Sequence, residues 1–250
     1  MHAEVTIVIP CLNEEQVVPS LVERLDRLIL GEQRPWEVVF VDDGSTDRTP
    51  ELLQDACRQR AWVRTLRHPR NLGLGAALRT GFATDLAPVV CTLDSDCTYP
   101  PERLPNLITL LERDADLVTG SPWHPDNTQF EGSRTRLLLS RLASAAYRRI
   151  TGAQIHTFTC LFRAYRRDLL RRVVFYENGF AATAEIMVKA VLQGFRVAEL
   201  PMPLTERRRG ASKMRVPASV AAHLRLLLAA ARWRRERRRI DPSACASGLR

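Results

Sequence analysis

Short apolar runs alternate with amphipathic segments along the first half of the chain. Five runs rich in β-branched residues have the composition of buried strands, and they span 5–10, 36–43, 62–68, 88–96 and 116–120. Between them, apolar residues recur at helical spacing over 14–29, 49–60, 73–84 and 101–113. Strands separated by single helices form βαβ units. The pattern therefore predicts an α/β fold, with a mostly parallel central sheet covered by helices on both faces.

Length and composition set the domain organisation. A chain of 250 residues with 45% hydrophobic content can bury one full core, so residues 1–231 are expected to form a single domain. The six cysteines include no CxxC pair, which is typical of a reducing compartment. Neither a signal peptide nor a stretch long enough to cross a membrane is recognisable.

Basic residues are concentrated near the C-terminus. The formal net charge is +9, and six of the eight residues in 232–239 are Arg. One interpretation is a solvated tail over 232–250. The other joins the cluster to the preceding helix, whose predicted apolar face comprises Val216, Val220, Leu224, Leu227 and Ala231. An apolar stripe that runs into a basic cluster suits anionic lipid headgroups or a nucleic-acid backbone.

Acidic residues follow three of the predicted strands. Strand one ends in IPCLNEE, strand two in VDDGSTD and strand four in LDSD. Asp42 could simply form a turn and Asn13 could simply cap the first helix. However, the carboxyl ends of parallel strands meet at one edge of a sheet, where ligands bind. Close carboxylates repel one another unless a cation neutralises them, so the three clusters together predict a divalent metal site.

Phosphate-binding loops of the common types are missing. The sequence contains no GxxxxGK[ST] loop and no GxGxxG after the first strand. Gly73 and Gly75 follow the third strand, where they favour a tight entry into a helix. A bound nucleoside diphosphate would therefore depend on a metal at the aspartates and on cations from elsewhere.

Five motifs in register resemble the family 2 glycosyltransferases of the GT-A fold. They are IPCLNEE, VDDGSTDRT, NLGLGAAL, LDSDCTYPPE and ERRRGASKM, and they extend over roughly residues 4–230. The chain is most similar to the polyprenyl-phosphate and dolichol-phosphate mannosyl- and glucosyltransferases. In this family LDSD corresponds to the DxD motif. The resemblance implies that Asp94 and Asp96 bind Mg²⁺ or Mn²⁺, with Asp94 on the nucleotide side and the Ser95 backbone beside them.

The resemblance also assigns the remaining site residues. Pro10, Leu12 and Glu14 match positions that contact the nucleotide base and ribose, and Val41 and Asp43 match further nucleoside contacts. Arg207 and Lys213 correspond to the basic pair that approaches the donor diphosphate and the acceptor phosphate. Cations on a late segment could close over the site and stabilise the departing nucleoside diphosphate.

Two departures from the family pattern fall on the acceptor side. Many members have an Arg after the Gly-Ser that ends strand five, and Pro122 occupies that position here. His124, Arg134 or Arg136 could take its place. In addition, HTFTCLFRAYRRD at 156–168 lacks the Asp and Gly that many members have just before the FRAYRR stretch.

The predicted reaction is metal-dependent transfer of mannose or glucose, with inversion, from a GDP- or UDP-hexose to a polyprenyl phosphate. A lipid phosphate is already anionic near pH 7, so this reaction needs no general base. A hydroxyl acceptor would need one, and Glu185 is the candidate, although the sequence favours a plain surface acid on a helix at this position. A non-catalytic nucleotide-sugar or nucleic-acid binding module is the third reading, although no nucleic-acid partner is expected. The resemblance implies a peripheral protein on the cytoplasmic membrane face, held by an anionic membrane surface or by a separate membrane-protein partner.

Overall fold

The fold is a three-layer α/β arrangement around one seven-stranded sheet. The computed structural model describes residues 2–127, 134–203 and 216–240, with the backbone alone for 134–136, 216 and 238–240. The strands are β1 Val5–Cys11, β2 Trp36–Asp42, β3 Val63–Arg67, β4 Val89–Thr92, β5 Leu117–Ser121, β6 Arg163–Arg166 and β7 Val197–Pro201. Their order across the sheet is β3-β2-β1-β4-β6-β5-β7.

The predicted mostly parallel sheet is confirmed. Four of the six strand pairings, β1 with β2, β1 with β4, β2 with β3 and β5 with β7, are parallel. Strand β6 runs antiparallel to both of its neighbours, β4 and β5. Central strands β1 and β2 are buried almost throughout, as expected of a sheet covered on both faces.

Helices cover both faces of the sheet. They are α1 Val18–Leu30, α2 Thr49–Gln59, α3 Leu74–Phe82, α4 Leu104–Asp114, α5 Arg134–Thr151, α6 Arg167–Arg172, α7 Ala181–Leu192 and α8 Val216–Ile240. The first four match the predicted helical segments. Helix α1 begins four residues later than predicted, with Pro19 in its first turn, where a missing N–H costs nothing. A 3₁₀ turn at Pro101–Arg103 leads into α4.

The core consists of two apolar layers, one on each side of the sheet. Helices α1, α2 and α4 contribute to the first layer, which includes Leu21, Leu53 and Leu107. Helices α3, α7 and α8 contribute to the second, which also contains Tyr147 of α5. Helix α8 therefore belongs to the folded domain and buries Leu226 against it.

Residues 232–240 of the predicted tail also belong to α8. The predicted domain boundary between 231 and 232 therefore falls inside a helix. The ring of Trp233 lies 4.7 Å from Lys189 Nζ. Arg234 donates to carbonyls at the end of α5, and Arg237 Nη1 lies 3.2 Å from the Val191 carbonyl at the end of α7. Cations are favourable at helix C-termini, so these two arginines stabilise the docking of α8. Across the described ranges, no helix combines the length and apolar character needed to span a membrane.

Candidate functional site

An open cavity of about 1150 Å³ lies at the carboxyl ends of β1, β2 and β4. Four acidic side chains from the three predicted clusters line it together, namely Glu14, Asp43, Asp94 and Asp96. The convergence predicted from strand order is therefore present. Three strands that end side by side deliver these residues, so the sheet sets their spacing.

The segments after β1 and β2 are joined by reciprocal hydrogen bonds. The backbone N–H of Asn13 donates to Ser45 Oγ at 2.8 Å, and Asn13 Oδ1 accepts from the Thr46 N–H at 2.8 Å. The Glu14 N–H donates to Thr49 Oγ1 at 2.7 Å. Asn13 therefore ties two loops together instead of capping α1, and Glu14 is held in place from its backbone.

The two adjacent aspartates after β2 have different roles. Asp42 Oδ1 accepts from the Ser45 N–H at 2.9 Å, and Asp42 Oδ2 lies 3.1 Å from Arg67 Nε, so this residue forms the turn. Asp43 lines the cavity. Its oxygens accept from His68 and from the backbone N–H groups of Leu72 and Gly73, which anchors the loop before α3.

The LDSD loop projects its carboxylates into the cavity. Asp94, Ser95 and Asp96 all line it, and the loop is closed by a bond from the Cys97 N–H to the Asp94 carbonyl at 3.3 Å. Asp96 Oδ1 accepts from the Thr98 N–H at 2.9 Å, which orients that carboxylate.

A divalent cation fits this donor set. Within the described ranges, no cluster of three or more His, Cys, Asp or Glu side chains could enclose a metal by itself. Mg²⁺ is commonly held by one or two carboxylates, with substrate phosphates and water completing its shell. The carboxylates of Asp94 and Asp96 match that requirement for a metal shared with a diphosphate.

Loop 176–180 forms the opposite wall. Gly75 N–H donates to the Asn178 carbonyl at 2.6 Å. A Cβ at Gly75 would lie 2.0 Å from the Glu177 carbonyl oxygen, and one at Gly73 would lie 2.4 Å from that of Asn178. The two glycines therefore allow α3 to approach this loop, which agrees with the predicted tight helix entry.

Glu185 occupies the base of that wall. The sequence favours a helix-surface acid at this position, but the side chain is buried. Its Oε2 accepts from the N–H groups of Tyr176 and Glu177 at 2.9 and 2.8 Å, and its Oε1 lies 2.6 Å from Lys189 Nζ. Three donors already engage the carboxylate, so its place in the structure is that of a support for the loop.

Helix α8 closes the third side of the cavity. The lining residues recur at helical spacing along one stripe, which comprises Ala218, Ser219, Ala222, Arg225, Leu226, Ala229 and Trp233. Arg225 is the single Lys or Arg on this cavity in the part of the chain that the structure describes. It is exposed, so its guanidinium is accessible to an anionic ligand.

A second, mostly apolar cavity of about 450 Å³ lies between α5 and α8. The next stripe of α8 lines it, including Val220, His223, Leu224 and Leu227. Five residues line both cavities, and they are Leu74, Asp94, Leu161, Phe180 and Ser219. The acidic cavity and the apolar cavity are therefore neighbours that share Asp94 of the LDSD loop.

Two titratable groups near the apolar cavity, Cys160 and His223, are neutral at neutral pH. Burial raises the pKa of the Cys160 thiol to about 12 and lowers the pKa of His223. The Tyr147 hydroxyl lies 2.9 Å from His223 Nδ1. Burial likewise raises the pKa of Cys97, beside the LDSD loop, to about 11. Neither thiol is a thiolate at neutral pH, so the site offers no activated cysteine nucleophile.

Comparison with known proteins agrees with this geometry. The family model for glycosyl transferase family 2 matches residues 6–174, which include all the acidic strand ends. The chain belongs to glycosyl transferase family 2. The predicted family is thereby confirmed, and the assignment of LDSD as its DxD motif stays a prediction.

Two curated relatives show the range of family members that this chain resembles. It is 37% identical over 196 residues to an undecaprenyl-phosphate 4-deoxy-4-formamido-L-arabinose transferase of Pseudomonas aeruginosa, covering 74% of this chain. The alignment spans only 56% of that relative's length. It is 32% identical over 215 residues to the polyprenol monophosphomannose synthase of Mycolicibacterium smegmatis, covering 83% of this chain and 80% of the relative.

A solved structure supports the fold. The glucosyl-3-phosphoglycerate synthase of Mycobacterium tuberculosis, in complex with Mn²⁺, UDP and glucosyl-3-phosphoglycerate, superposes with a TM-score of 0.64. The match covers 91% of this chain and 78% of the synthase at 20% identity. At that identity the likeness establishes the GT-A-type architecture and leaves the substrate open.

The structure groups most of the predicted donor-site residues. Pro10, Leu12, Glu14, Asp43, Asp94, Ser95 and Asp96 all line the acidic cavity. Val41 is fully buried in the core beneath it. Arg207 and Lys213 lie outside the described residues, as do the side chains of Arg134 and Arg136. The functional roles of all these residues stay predictions.

Of the three residues suggested as replacements for the family Arg at Pro122, His124 is the one whose side chain the structure describes. His124 Nδ1 lies 3.5 Å from Asp126 Oδ2, and its ring meets the His156 ring edge to face at 5.6 Å. His124 does not line either cavity, whereas Pro122 lines the apolar one. Arg225 was not among the site residues predicted from the sequence. Its helical spacing from Ala218, Ala222 and Ala229 could have indicated that it shares a face with them.

Proposed function

We propose that this chain transfers a hexose from a GDP- or UDP-sugar to a polyprenyl phosphate, with a divalent metal and with inversion at the anomeric carbon. The observation that carries the proposal is the shared wall at Asp94, where an acidic cavity adjoins an apolar one. A charged nucleotide donor suits the first cavity and the first isoprene units of a lipid suit the second. The two relatives described above carry polyprenol or undecaprenyl phosphate in their names.

On the donor side, Asp94 and Asp96 would hold Mg²⁺ or Mn²⁺, which supplies positive charge against the leaving diphosphate. Glu14, Asp43 and the segment Pro10–Leu12 form the remaining floor, where the nucleoside would bind. Strand ends and backbone hydrogen bonds hold these side chains in place. They would therefore orient the donor before the reaction.

On the acceptor side, a phosphate monoester is itself the nucleophile. Its oxygen attacks the anomeric carbon as the bond to the diphosphate oxygen breaks, and no proton has to be removed. Glu185, the base candidate for a hydroxyl acceptor, is already engaged by three donors. This engagement supports a phosphate acceptor over a hydroxyl one.

Titration calorimetry with a panel of nucleotide sugars tests the donor half of the proposal. UDP- and GDP-hexoses should bind saturably when Mn²⁺ or Mg²⁺ is present and much more weakly in chelator. Tight binding that ignores the metal would contradict the role of Asp94 and Asp96. Retention on duplex DNA with no nucleotide-sugar binding would instead favour the binding-module alternative.

Arg225 is expected to contribute a cation to phosphate binding. Arg225→Ala should lower turnover about ten- to a hundredfold, because a charge-assisted phosphate contact stabilises by roughly 1.5 to 3 kcal/mol. Arg207→Ala and Lys213→Ala should have effects of the same size, if their predicted roles hold. Steady-state transfer assays on the three variants measure these losses.

Arg58→Ala is the matched control for Arg225→Ala, because Arg58 is exposed on α2 and, among the described residues, forms an ion pair with Asp55 alone. It should leave turnover within about twofold of the wild type. If Arg225→Ala also kept full turnover while Lys213→Ala did not, the cation would come from the 207–213 segment alone.

Membrane attachment is proposed to use the outer face of the α5–α8 pair, at a cytoplasmic bilayer surface. Leu138, Leu142, Leu224 and Leu228 are all more than half exposed there, although only Leu224 was in the predicted stripe. Leu227, which was in it, packs partly against the core. On α8, Leu224 and Leu228 are therefore the two side chains that a bilayer would bury, and Leu227 is not one of them.

Co-sedimentation with anionic vesicles tests this attachment. Leu224→Gln with Leu228→Gln should weaken binding in a way that is nearly independent of salt, because it removes apolar area. Arg232→Ser with Arg235→Ser should weaken it mainly at low salt, because each Arg contributes about 1 kcal/mol that ions screen. Unchanged vesicle binding in both double variants would contradict this surface. Glu51→Gln with Asp55→Asn, on the distant helix α2, is the control.

A further inference from the structure

A hydrogen-bonded chain of side chains runs from helix α3 to the floor of the acidic cavity. Thr80 Oγ1 lies 2.8 Å from His68 Nε2, and His68 Nδ1 lies 2.6 Å from Asp43 Oδ1. His68 is 7% exposed and Asp43 is 4% exposed, so water competes little with these bonds. Asp43 lines the cavity, whereas His68 lies behind it. The predicted site residues did not include His68.

The donors around Asp43 determine which nitrogen of His68 carries a hydrogen. The N–H groups of Leu72 and Gly73 donate to Oδ1 at 2.9 Å and to Oδ2 at 2.8 Å. Both carboxylate oxygens therefore act as acceptors, and Nδ1 of His68 must be the donor to Oδ1. Among the described residues, Oδ1 then receives two donors and Oδ2 receives one. The carboxylate keeps acceptor capacity at Oδ2 for another donor.

The same carboxylate also fixes the loop beside it. Asn71 and Gly73 line the cavity next to Asp43, and the two backbone bonds from 72 and 73 hold that loop against the end of β2. The backbone N–H of His68 adds a bond to the Asp42 carbonyl at 2.8 Å. The orientation of one carboxylate therefore sets two parts of the cavity floor.

We propose that His68 is a positioning residue for the nucleoside of the donor, an inference that rests on the proposed function. His68 holds Asp43 with Oδ2 able to accept an N–H from the nucleobase, such as the imide N–H of uracil or its equivalent in guanine. It does not touch the nucleoside itself. Its contribution is confined to the nucleoside floor and leaves the metal and diphosphate site at Asp94 and Asp96 unchanged.

Two substitutions test the two ring nitrogens of His68 separately, Nδ1 against Asp43 and Nε2 against Thr80. In His68→Asn the side-chain amide can reach the Nδ1 position and donate to Asp43, but it cannot reach Thr80. In His68→Gln the longer amide reaches toward Thr80 and leaves the Nδ1 position empty. Both replacements are neutral and polar, so they form a matched pair for the bond to Asp43.

Calorimetry with two small probes separates positioning from general damage. UMP and GMP, titrated without metal, report on the nucleoside floor, and inorganic pyrophosphate with Mn²⁺ reports on the DxD site. His68→Gln should weaken binding of the preferred monophosphate tenfold or more and leave pyrophosphate binding within about twofold. His68→Asn should bind the monophosphate within about threefold of the wild type. In transfer assays the loss in His68→Gln should fall on KM for the donor more than on kcat.

Equal weakening of both probes in both variants would overturn the proposal, because it would show a general structural role. Unchanged monophosphate binding in His68→Gln would overturn it as well. A wild-type protein that binds pyrophosphate with Mn²⁺ but neither monophosphate would contradict the nucleoside floor itself, and the role of His68 would be wrong with it. A wild-type protein that binds no probe would overturn the proposed donor site.

Discussion

Replacing Asp96 by Asn should reduce hexose transfer by at least a thousandfold while the protein stays folded. The side chain lies on the cavity wall, and its Oδ1 accepts a bond from the Thr98 N–H that the Asn amide oxygen can also accept. The change therefore removes charge from a predicted metal ligand and leaves the loop intact. Transfer rates at saturating donor and Mg²⁺ or Mn²⁺, together with thermal unfolding, measure the two effects separately.

Asp42→Asn is the control for this substitution, because Asp42 is also acidic and close in the fold but forms a turn outside the cavity. It should lower stability more than turnover. Asp94→Asn should impair transfer severely, mainly through donor binding. An Asp96→Asn protein that transferred at the wild-type rate would show that LDSD is not the metal-binding motif.

Arg163→Met should lower the free energy of unfolding by on the order of 3 kcal/mol. Arg163 is fully buried, and it donates to the Thr183 and Phe158 carbonyls at 2.7 and 2.8 Å. Loss of the guanidinium leaves those buried acceptors without their partners, which costs more than a bond between exposed groups. The same contacts join β6 to the start of α7. Urea unfolding followed by circular dichroism measures the loss.

Arg166→Met, on the same strand, is the matched control. Its Nε and Nη2 also donate to backbone carbonyls, those of Ala115 and Leu111, but the side chain is 44% exposed. Water can replace its bonds, so the loss should be about 1 kcal/mol or less. Equal losses for the two variants would contradict the assignment of Arg163 as a buried tie between elements.

The first five strands and first four helices could be predicted because each has a simple pattern of apolar residues, a continuous run in a strand or helical spacing in a helix. Strands β1 and β2 are buried on both faces and therefore appear as continuous apolar runs. The acidic residues at their ends could be grouped from strand order alone, since parallel strands end at one edge. Strand order therefore predicts that Glu14, Asp43, Asp94 and Asp96 lie at one edge of the sheet, where all four line one cavity.

Strands β6 and β7 were not predicted because their sequences carry other signals. Strand β6 reads RAYR, and the buried Arg163 within it resembles a surface residue until its carbonyl partners are known. Strand β7 contains Glu199, whose carboxylate accepts from the N–H groups of His156 and Thr157. In both strands a long-range hydrogen bond offsets the cost of a buried charge, and such a partner cannot be inferred from local periodicity.

The surroundings of Glu185 and Arg225 depend on tertiary contacts in the same way. Glu185 was expected on a helix surface, yet Lys189 and two backbone N–H groups from loop 176–180 enclose it. Arg225 was counted within an apolar helix, and its place on the cavity follows from how α8 docks. That docking involves Trp233, Arg234 and Arg237, for which the sequence left open a solvated tail or a membrane-binding cluster.

The most direct test of the whole account is transfer of labelled hexose from UDP- or GDP-sugars to polyprenyl phosphate in the presence of Mn²⁺. The proposed function predicts a lipid-soluble product whose anomeric configuration is opposite to that of the donor. Product should be lost in chelator and in the Asp96→Asn variant. Label that enters only water, or only a hydroxyl acceptor such as a free sugar, while the lipid phosphate stays unmodified would contradict it.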